Sequence, residues 1–343
     1  MEPYFILALF GHGYKARTST LYHLLKGKRT TSVLLYGFLY DNLRFFQLTP
    51  ELTERQFNKM LNQLFEQKLL QLDGGSEAQI TDQGLQVFRQ ISYFYEHLDN
   101  YRFGKTDVAI WRLLQFTVQV VSHLSYTDKN YIPLEQSPLY QQQVKSLLRS
   151  LPKAQLIKAS KQEWQQIFSF LPKEQANFFA RQFSGYHTIG KTSAQLLEPE
   201  LNKLERFLTV KDALHQLLAL ILSLEENSLL RKLILPYIKQ NENQSMNETS
   251  QYLKYNLSLD ELAKQRNLKK STVQDHLLEL ALASDFPFEQ YLSEESEISL
   301  NKLVTPYQNW IYQEEKQKQP QLDYFEFRLY QIKKLKEERE ADK

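Results

Sequence analysis

The chain has 343 residues, a formal charge of +2, 10 glycines, no cysteine, 20 tyrosines and 21 phenylalanines. The missing cysteine excludes disulfides and thiolate metal sites and suits a reducing cytoplasm. The seven histidines show no pair at metal-ligand spacing, so neither a metal nor a cofactor is expected.

Scarce glycine with abundant Leu, Gln, Glu and Lys points to a mainly α protein with large aromatic side chains in its core. The length allows two or three domains. A charge near zero neither demands nor forbids nucleic acid, for which a local patch decides.

The chain opens with "MEPYFILALFGHG". Its apolar run follows an acidic residue, is too short to span a membrane and lacks a small-residue cleavage site, so it reads as a first core helix and no membrane partner is expected. "TSTLYHLLKGKRT", Thr18 to Thr30, puts Leu21, Leu24 and Leu25 on one helical face and ends at the basic turn Lys26-Gly27-Lys28-Arg29. In "TERQFNKMLNQLFEQKLL", Thr53 is the N-cap and Phe57, Met60, Leu61, Leu64 and Phe65 form a stripe at helical spacing.

The period then changes. "LLQLDGGSEAQITDQGLQVF" predicts a strand to Leu72, a Gly74-Gly75 turn, a strand ending at Ile80 and a helix capped by Thr81 or Asp82. Three helices, a hairpin and a further helix are the order of a winged helix-turn-helix, expected over residues 1–95. Its candidate DNA-contacting residues are Arg55, Gln56 and Lys59 on the third helix and Lys26, Lys28 and Arg29 at the turn. A solvated basic face is the competing reading.

Residues 96–238 read as a helical middle domain. "TDVAIWRLLQFTVQVVSHLS" is one long amphipathic segment, and "KQEWQQIFSFLPKEQANFFARQF" is a helix, a stop at Pro172 and a second helix. "ALHQLLALILSL", Ala213 to Leu224, is interrupted by His215 and Gln216 and reads as a buried helix rather than a span.

Within this domain "GYHTIGKT", Gly185 to Thr192, matches the phosphate-loop pattern, with Gly190, Lys191 and Thr192 in its fixed positions. A phosphate loop needs a buried strand ahead of it and an acidic residue on a second strand. The preceding "EQANFFARQFS" has Phe178, Phe179 and Phe183 at helical spacing, and Glu225 and Glu226 lie in a helical repeat. The expectation is therefore a helix ending at Gly185 and another starting near Thr192 or Ser193, with a P-loop ATPase as the enzyme-class alternative.

"KQNENQSMNETSQ", Lys239 to Gln251, is polar without apolar periodicity and reads as a linker. A last helical module covers 252–336, and the charged tail 337–343 is expected to be a fraying helix end. In "LSLDELAKQRNLKKSTVQDHLLEL", Leu259 and Leu262 face the core and Ala263 permits close helix crossing. Asn267 takes the left-handed turn, Leu268 plugs it, Ser271 caps the second helix, and Val273, Leu277 and Leu280 anchor it.

The second helix of such a motif enters the major groove, which makes Lys269, Lys270, Thr272, Gln274, Asp275 and His276 the exposed candidates, with Ser271 a DNA contact beside them. His276 also reads simply as a helix residue at the motif's edge. Residues 251–285 carry five basic side chains and five acidic ones, so the module alone would hold duplex DNA weakly, and a structural or protein-docking motif is the competing reading.

"TLYHLLKGKRT", "SLDELAKQRNLKKSTVQDHL" and "LDYFEFRLYQIKKL" resemble the YpbB-like bacterial helix-turn-helix proteins, whose genes lie beside a RecQ-type DNA helicase. Residues 252–335 are similar to the helicase-associated helix-turn-helix module at the C-terminus of some RecQ helicases. The run Leu262-Ala263, Arg266, Leu268, Thr272-Val273 and His276-Leu277 carries the likeness, while Asn267 stands where the family usually has glycine.

The resemblance implies a non-enzymatic, nucleoid-associated accessory factor that acts with a RecQ-type helicase on duplex or forked DNA in repair, recombination or replication. A transcription regulator using both helix-turn-helix modules is the alternative.

Overall fold

The computed structural model describes residues 2–73, 77–90, 95–283 and 285–341. Its elements form two compact units. One combines Met1–Ser92 with Glu242–Lys343, and the other, Tyr93–Asn241, is inserted between those two segments. The sequence reading treats the two ends as separate domains; in the structure they pack together.

The N-terminal segment begins with α1 (Pro3–Ala8), which buries Phe5, Ile6 and Leu7, and β1 (Ala16–Arg17). Helix α2 (Thr18–Lys26) buries Leu21, Leu24 and Leu25 and stops at Gly27, whose φ of 83° lets the Lys28 N–H bond the His23 carbonyl at 2.9 Å. Next comes α3 (Thr31–Leu39), a helix the sequence reading passes over. "TSVLLYGFL" is apolar almost all round, so it has no amphipathic stripe to detect. Helix α4 (Glu54–Glu66) carries the expected stripe and the expected Thr53 cap.

Strands β2 (Leu70–Leu72) and β3 (Glu77–Ile80) pair antiparallel, Leu70 opposite Ile80, and β1 lies on the other edge of β3 with Ala16 opposite Ala78. The expected Gly74-Gly75 turn lies outside the described residues. Helix α5 (Asp82–Gln90) follows, and Thr81 Oγ1 caps it by accepting the Gly84 N–H at 3.0 Å.

The inserted unit consists of α6 (Asn100–Phe103), α7 (Asp107–Ser125), α8 (Pro138–Ser150), α9 (Lys153–Phe170), α10 (Lys173–Ala180), α11 (Lys203–Ser223) and α12 (Leu229–Ile238). Pro172 separates α9 from α10, because a proline cannot continue the hydrogen-bond ladder. Leu113, Leu114, Ile167, Leu217, Leu218, Ile221 and Ile234 lie in one core.

The C-terminal segment holds α13 (Gln244–Ser250), α14 (Leu259–Arg266), α15 (Lys270–Ala283), α16 (Phe288–Tyr291), α17 (Glu294–Leu300), α18 (Tyr312–Lys318) and α19 (Tyr324–Ala341). Two expectations are corrected here. Residues 239–251 hold the boundary between the units, at Asn241 and Glu242, but most of them are not a free linker: Asn243 Oδ1 caps α13, and Met246 and Thr249 are buried where α13 packs on α15. One apolar anchor and one buried hydroxyl suffice, and they leave no hydrophobic period in the sequence.

The charged end is helical as expected, with α19 running on to Ala341, but at Arg339 it is tied down rather than fraying. The Arg339 guanidinium lies 4.4 Å from the Phe38 ring centre, and its Nη2 donates to the Phe38 carbonyl at 2.7 Å. Helix α15 is the hub of this unit, with α3, α13, α14 and α19 packed around it.

Candidate nucleic-acid interface

The helix-turn-helix is built as its sequence dictates. Ser258 and Glu261 form a reciprocal capping box at the start of α14. Asn267 adopts the left-handed conformation, φ 51° and ψ 46°, and the Leu268 N–H closes the turn on the Ala263 carbonyl at 3.0 Å. Leu262, Val273 and Leu277 are fully buried between the helices. Helix α15 starts at Lys270, so Ser271 lies inside its first turn rather than capping it.

Of the residues expected at the groove, Lys269, Lys270 and Ser271 are exposed and Thr272 and Gln274 half-buried. Lys270 Nζ pairs with Asp260 at 3.0 Å, which reduces the positive charge this turn presents. His276 is corrected: it is buried, and its Nδ1 lies 3.0 Å from Thr249 Oγ1. That hydroxyl donates to the Ser245 carbonyl at 3.1 Å, so the imidazole Nδ1–H donates to it. Asp275 accepts from Thr31 Oγ1 at 2.7 Å instead of meeting a base.

Arg29 is corrected as well. It binds the buried Glu279 carboxylate on α15 at 2.6 Å and lies over the Phe46 ring, so it joins the two chain ends rather than facing solvent. With α3 packed on α15, the part of that helix open to a ligand is its first turn and a half.

Helix α4 offers a longer polar face. Arg55 and Lys59 are exposed as expected, and with Glu54, Asn58, Asn62, Gln63 and Glu66 they line an open surface groove. Asn58 and Asn62 escaped the sequence reading, although they are the positions left over once the apolar stripe is assigned. A carboxamide can pair with an adenine edge in two hydrogen bonds, which gives this face readers as well as cations. Gln56 is corrected: its Oε1 accepts from the Thr53 N–H at 3.0 Å and the Thr53 hydroxyl at 2.9 Å, completing the helix cap.

The basic turn after α2 connects the two helices. Lys26 Nζ donates to the Pro50 carbonyl, just before α4, while Arg29 and Thr31 hold α15. Lys28, between them, is exposed.

In the inserted unit, the loop Gly185–Thr192 does not form a phosphate cradle. It follows helix α10, which ends at Ala180, not a buried strand and not a helix ending at Gly185 itself. Gly185 and Thr188 bond each other's backbone at 3.0 and 3.1 Å, and the Tyr186 N–H donates to Ser122 Oγ and the Gly190 N–H to Ser184 Oγ, both at 3.0 Å. The Lys191 N–H donates to the Arg181 carbonyl at 2.8 Å.

The amides of Gly185, Tyr186, Thr188, Gly190 and Lys191 are thus engaged within the protein. Gly190 is required for close approach, since a Cβ there would fall 2.3 Å from the Gln182 carbonyl oxygen. Thr192 caps only a short 3-10 turn at Ser193–Gln195, and α11 starts later, behind its own Asn202 cap.

A buried ion cluster in the same unit is fully satisfied internally. Asp107 accepts from Lys211 Nζ at 2.5 Å and His215 Nε2 at 3.0 Å, while His215 Nδ1 accepts the Asp99 N–H at 3.0 Å. Burial raises the Asp107 pKa, but His215 and Lys211 outweigh it and the net shift is downward. The cluster pins α7, α11 and the α6 entry together.

Among the described residues no group of His, Asp or Glu is arranged to hold a metal, and no helix is long and apolar enough to cross a membrane. No solved structure matches the chain. It is similar to Protein YpbB of Bacillus subtilis (strain 168), 23% identical over 329 residues that cover 93% of each chain. Residues 245–331, from within α13 into α19, match the family described as a helix-turn-helix domain, which makes this a mainly helical chain with a helix-turn-helix domain in its C-terminal segment.

Proposed function

We propose that the protein is a non-enzymatic DNA-binding accessory factor that works with a RecQ-type DNA helicase in repair, recombination or replication. The observation that carries the DNA reading is the helix-turn-helix domain over 245–331, with Lys269, Lys270, Ser271, Thr272 and Gln274 at the open start of its second helix. The helicase partnership is supported by the family resemblance alone.

The N-terminal segment fits a winged helix-turn-helix, in which α4 precedes the β2–β3 hairpin and takes the reading position. Arg55, Asn58, Lys59 and Asn62 are its contacts, and Lys28 reaches a phosphate. A nucleoid location in a bacterial cytoplasm belongs to the same reading.

Binding is expected to be weak without the helicase, because the cations near α15 are matched by carboxylates and few counterions would be released. Fluorescence anisotropy with labelled duplex and forked DNA tests the reading. Lys59→Glu, or Lys269→Glu with Lys270→Glu, should each weaken binding about fivefold or more and flatten the salt dependence. A pull-down from nuclease-treated lysate should retain a helicase, and recovery only through nucleic acid would sink the partnership.

The Asn58 and Asn62 carboxamides favour a second reading, a transcription regulator. Tight binding to one duplex sequence at moderate salt, lost on Gln274→Ala or Asn62→Ala, would decide for it.

A further inference from the structure

The end of α7 and the Gly185–Thr192 loop of the inserted unit bring five rings together. Tyr126 stacks on Tyr186 with ring centres 4.3 Å apart and planes within 19°, and His123 stacks on Tyr131 at 3.9 Å and 11°. His123 meets Tyr186 edge-on at 6.1 Å, and His187 lies 4.0 Å from Tyr186, so the rings are contiguous. Tyr126 remains 65% exposed although Tyr186 covers one face.

The support beneath is hydrogen-bonded. Ser122 Oγ holds the Tyr186 N–H at 3.0 Å, Asp128 holds His123 Nδ1 at 2.7 Å, and the Gly185–Thr188 pairing fixes the loop tip. Lys129, next to Asp128 in the chain, and Lys191, in the loop itself, are exposed cations, as is Arg181, whose carbonyl takes the Lys191 N–H, and Lys153 Nζ reaches Thr127 Oγ1 at 3.1 Å. Asp128 is the only carboxylate in residues 122–131 and 181–192, and it already serves His123 and the Asn130 N–H.

Pre-stacked rings, exposed at Tyr126 and His187 and half-exposed at Tyr186 and Tyr131, on segments that also carry exposed cations, suit one chemistry: unpaired bases stack on the aromatic faces while the phosphates lie against lysine and arginine. A duplex keeps its base faces covered and cannot use such a surface. The amides of this loop that are engaged within the protein count against a mononucleotide reading of the same residues.

We propose that the Tyr126–Tyr186 platform binds single-stranded DNA, separately from the helix-turn-helix. The choice of DNA over RNA rests on the DNA reading given above; the stacking site does not.

The full-length protein is titrated into a labelled fifteen-residue oligothymidylate, its oligouridylate counterpart and a hairpin duplex. Expected are binding of the oligothymidylate, about tenfold weaker binding with Tyr126→Ala, and binding within twofold of wild type with Tyr126→Phe, which keeps the ring. Duplex binding should not change in either variant. Lys59→Glu should do the reverse, so the two sites fail independently.

If Tyr126→Ala does not fold, His187→Ala combined with Lys191→Glu, both exposed, carries the same test. Absence of oligothymidylate binding, an unchanged affinity in Tyr126→Ala, an equal loss in Tyr126→Phe, or more than tenfold preference for the RNA would each overturn the proposal.

Discussion

His12 and His276 are both held neutral by burial, His12 with a pKa lowered to about 4 and His276 with one lowered below the usual imidazole value. His12 Nδ1 accepts the Tyr14 N–H at 2.9 Å, and its ring stacks 4.4 Å from Tyr40. In the unfolded chain an imidazole takes up its proton near pH 6.5. Stability is therefore full above that pH and falls as the pH drops from about 6.5 to 4, by about 3 kcal/mol for His12 alone.

Urea midpoints measured at pH 7.5 and 4.5 should separate widely in wild type and less in His12→Asn, which keeps the acceptor without the proton. An unchanged separation would remove burial of His12 as the cause. At this scale much was legible. His276 follows Val273 by three residues and precedes Leu280 by four, which already places it on the apolar stripe. Thr53-x-x-Gln56 is itself a capping-box pattern, so both side chains were readable as structural before the fold was known.

Single elements show where local pattern is enough and where it is not. The α4 stripe and the α14 turn follow from spacing, caps and a residue that tolerates positive φ. Asn267→Gly should leave the melting temperature unchanged or slightly raised, whereas Asn267→Val should cost about 1–2 kcal/mol, because a β-branched side chain resists that conformation. Helices α3 and α13 escaped because the first is apolar on every side and the second almost nowhere, and periodicity needs contrast.

The phosphate-loop match shows the converse, a pattern without its chemistry. Gly190→Ala should destabilise by about 1–3 kcal/mol through the clash with the Gln182 carbonyl, and Lys191→Ala should change stability by less than about 0.5 kcal/mol. Thermal melts of the two variants check both values.

At the scale of the whole molecule, the joining of the two chain ends was not legible. Local periodicity carries no information about which helix covers which, and the polar look of 239–251, where one compact unit does give way to the other, hid a helix that packs on α15. The Arg29–Glu279 pair is the most direct probe of the joint. A double-mutant cycle with Arg29→Met and Glu279→Gln should give a coupling above 1 kcal/mol, since both groups are largely removed from solvent.

Residues 242–343 expressed alone should bind a hydrophobic dye and self-associate, and co-expression with 1–92 should suppress both. A monodisperse, non-binding fragment would show that α3 is dispensable to α15.

The same joint has a consequence during synthesis. Arg29 and Glu279 stand 250 residues apart, and a ribosome adding 5–20 residues per second needs roughly 12–50 s to bring the second out after the first. For that interval the apolar side of α3 waits without its cover, while the inserted unit can already emerge and fold. The nascent chain is thus a natural client for a holding chaperone until its last hundred residues arrive, and slowing translation beyond α12 should lengthen that dependence.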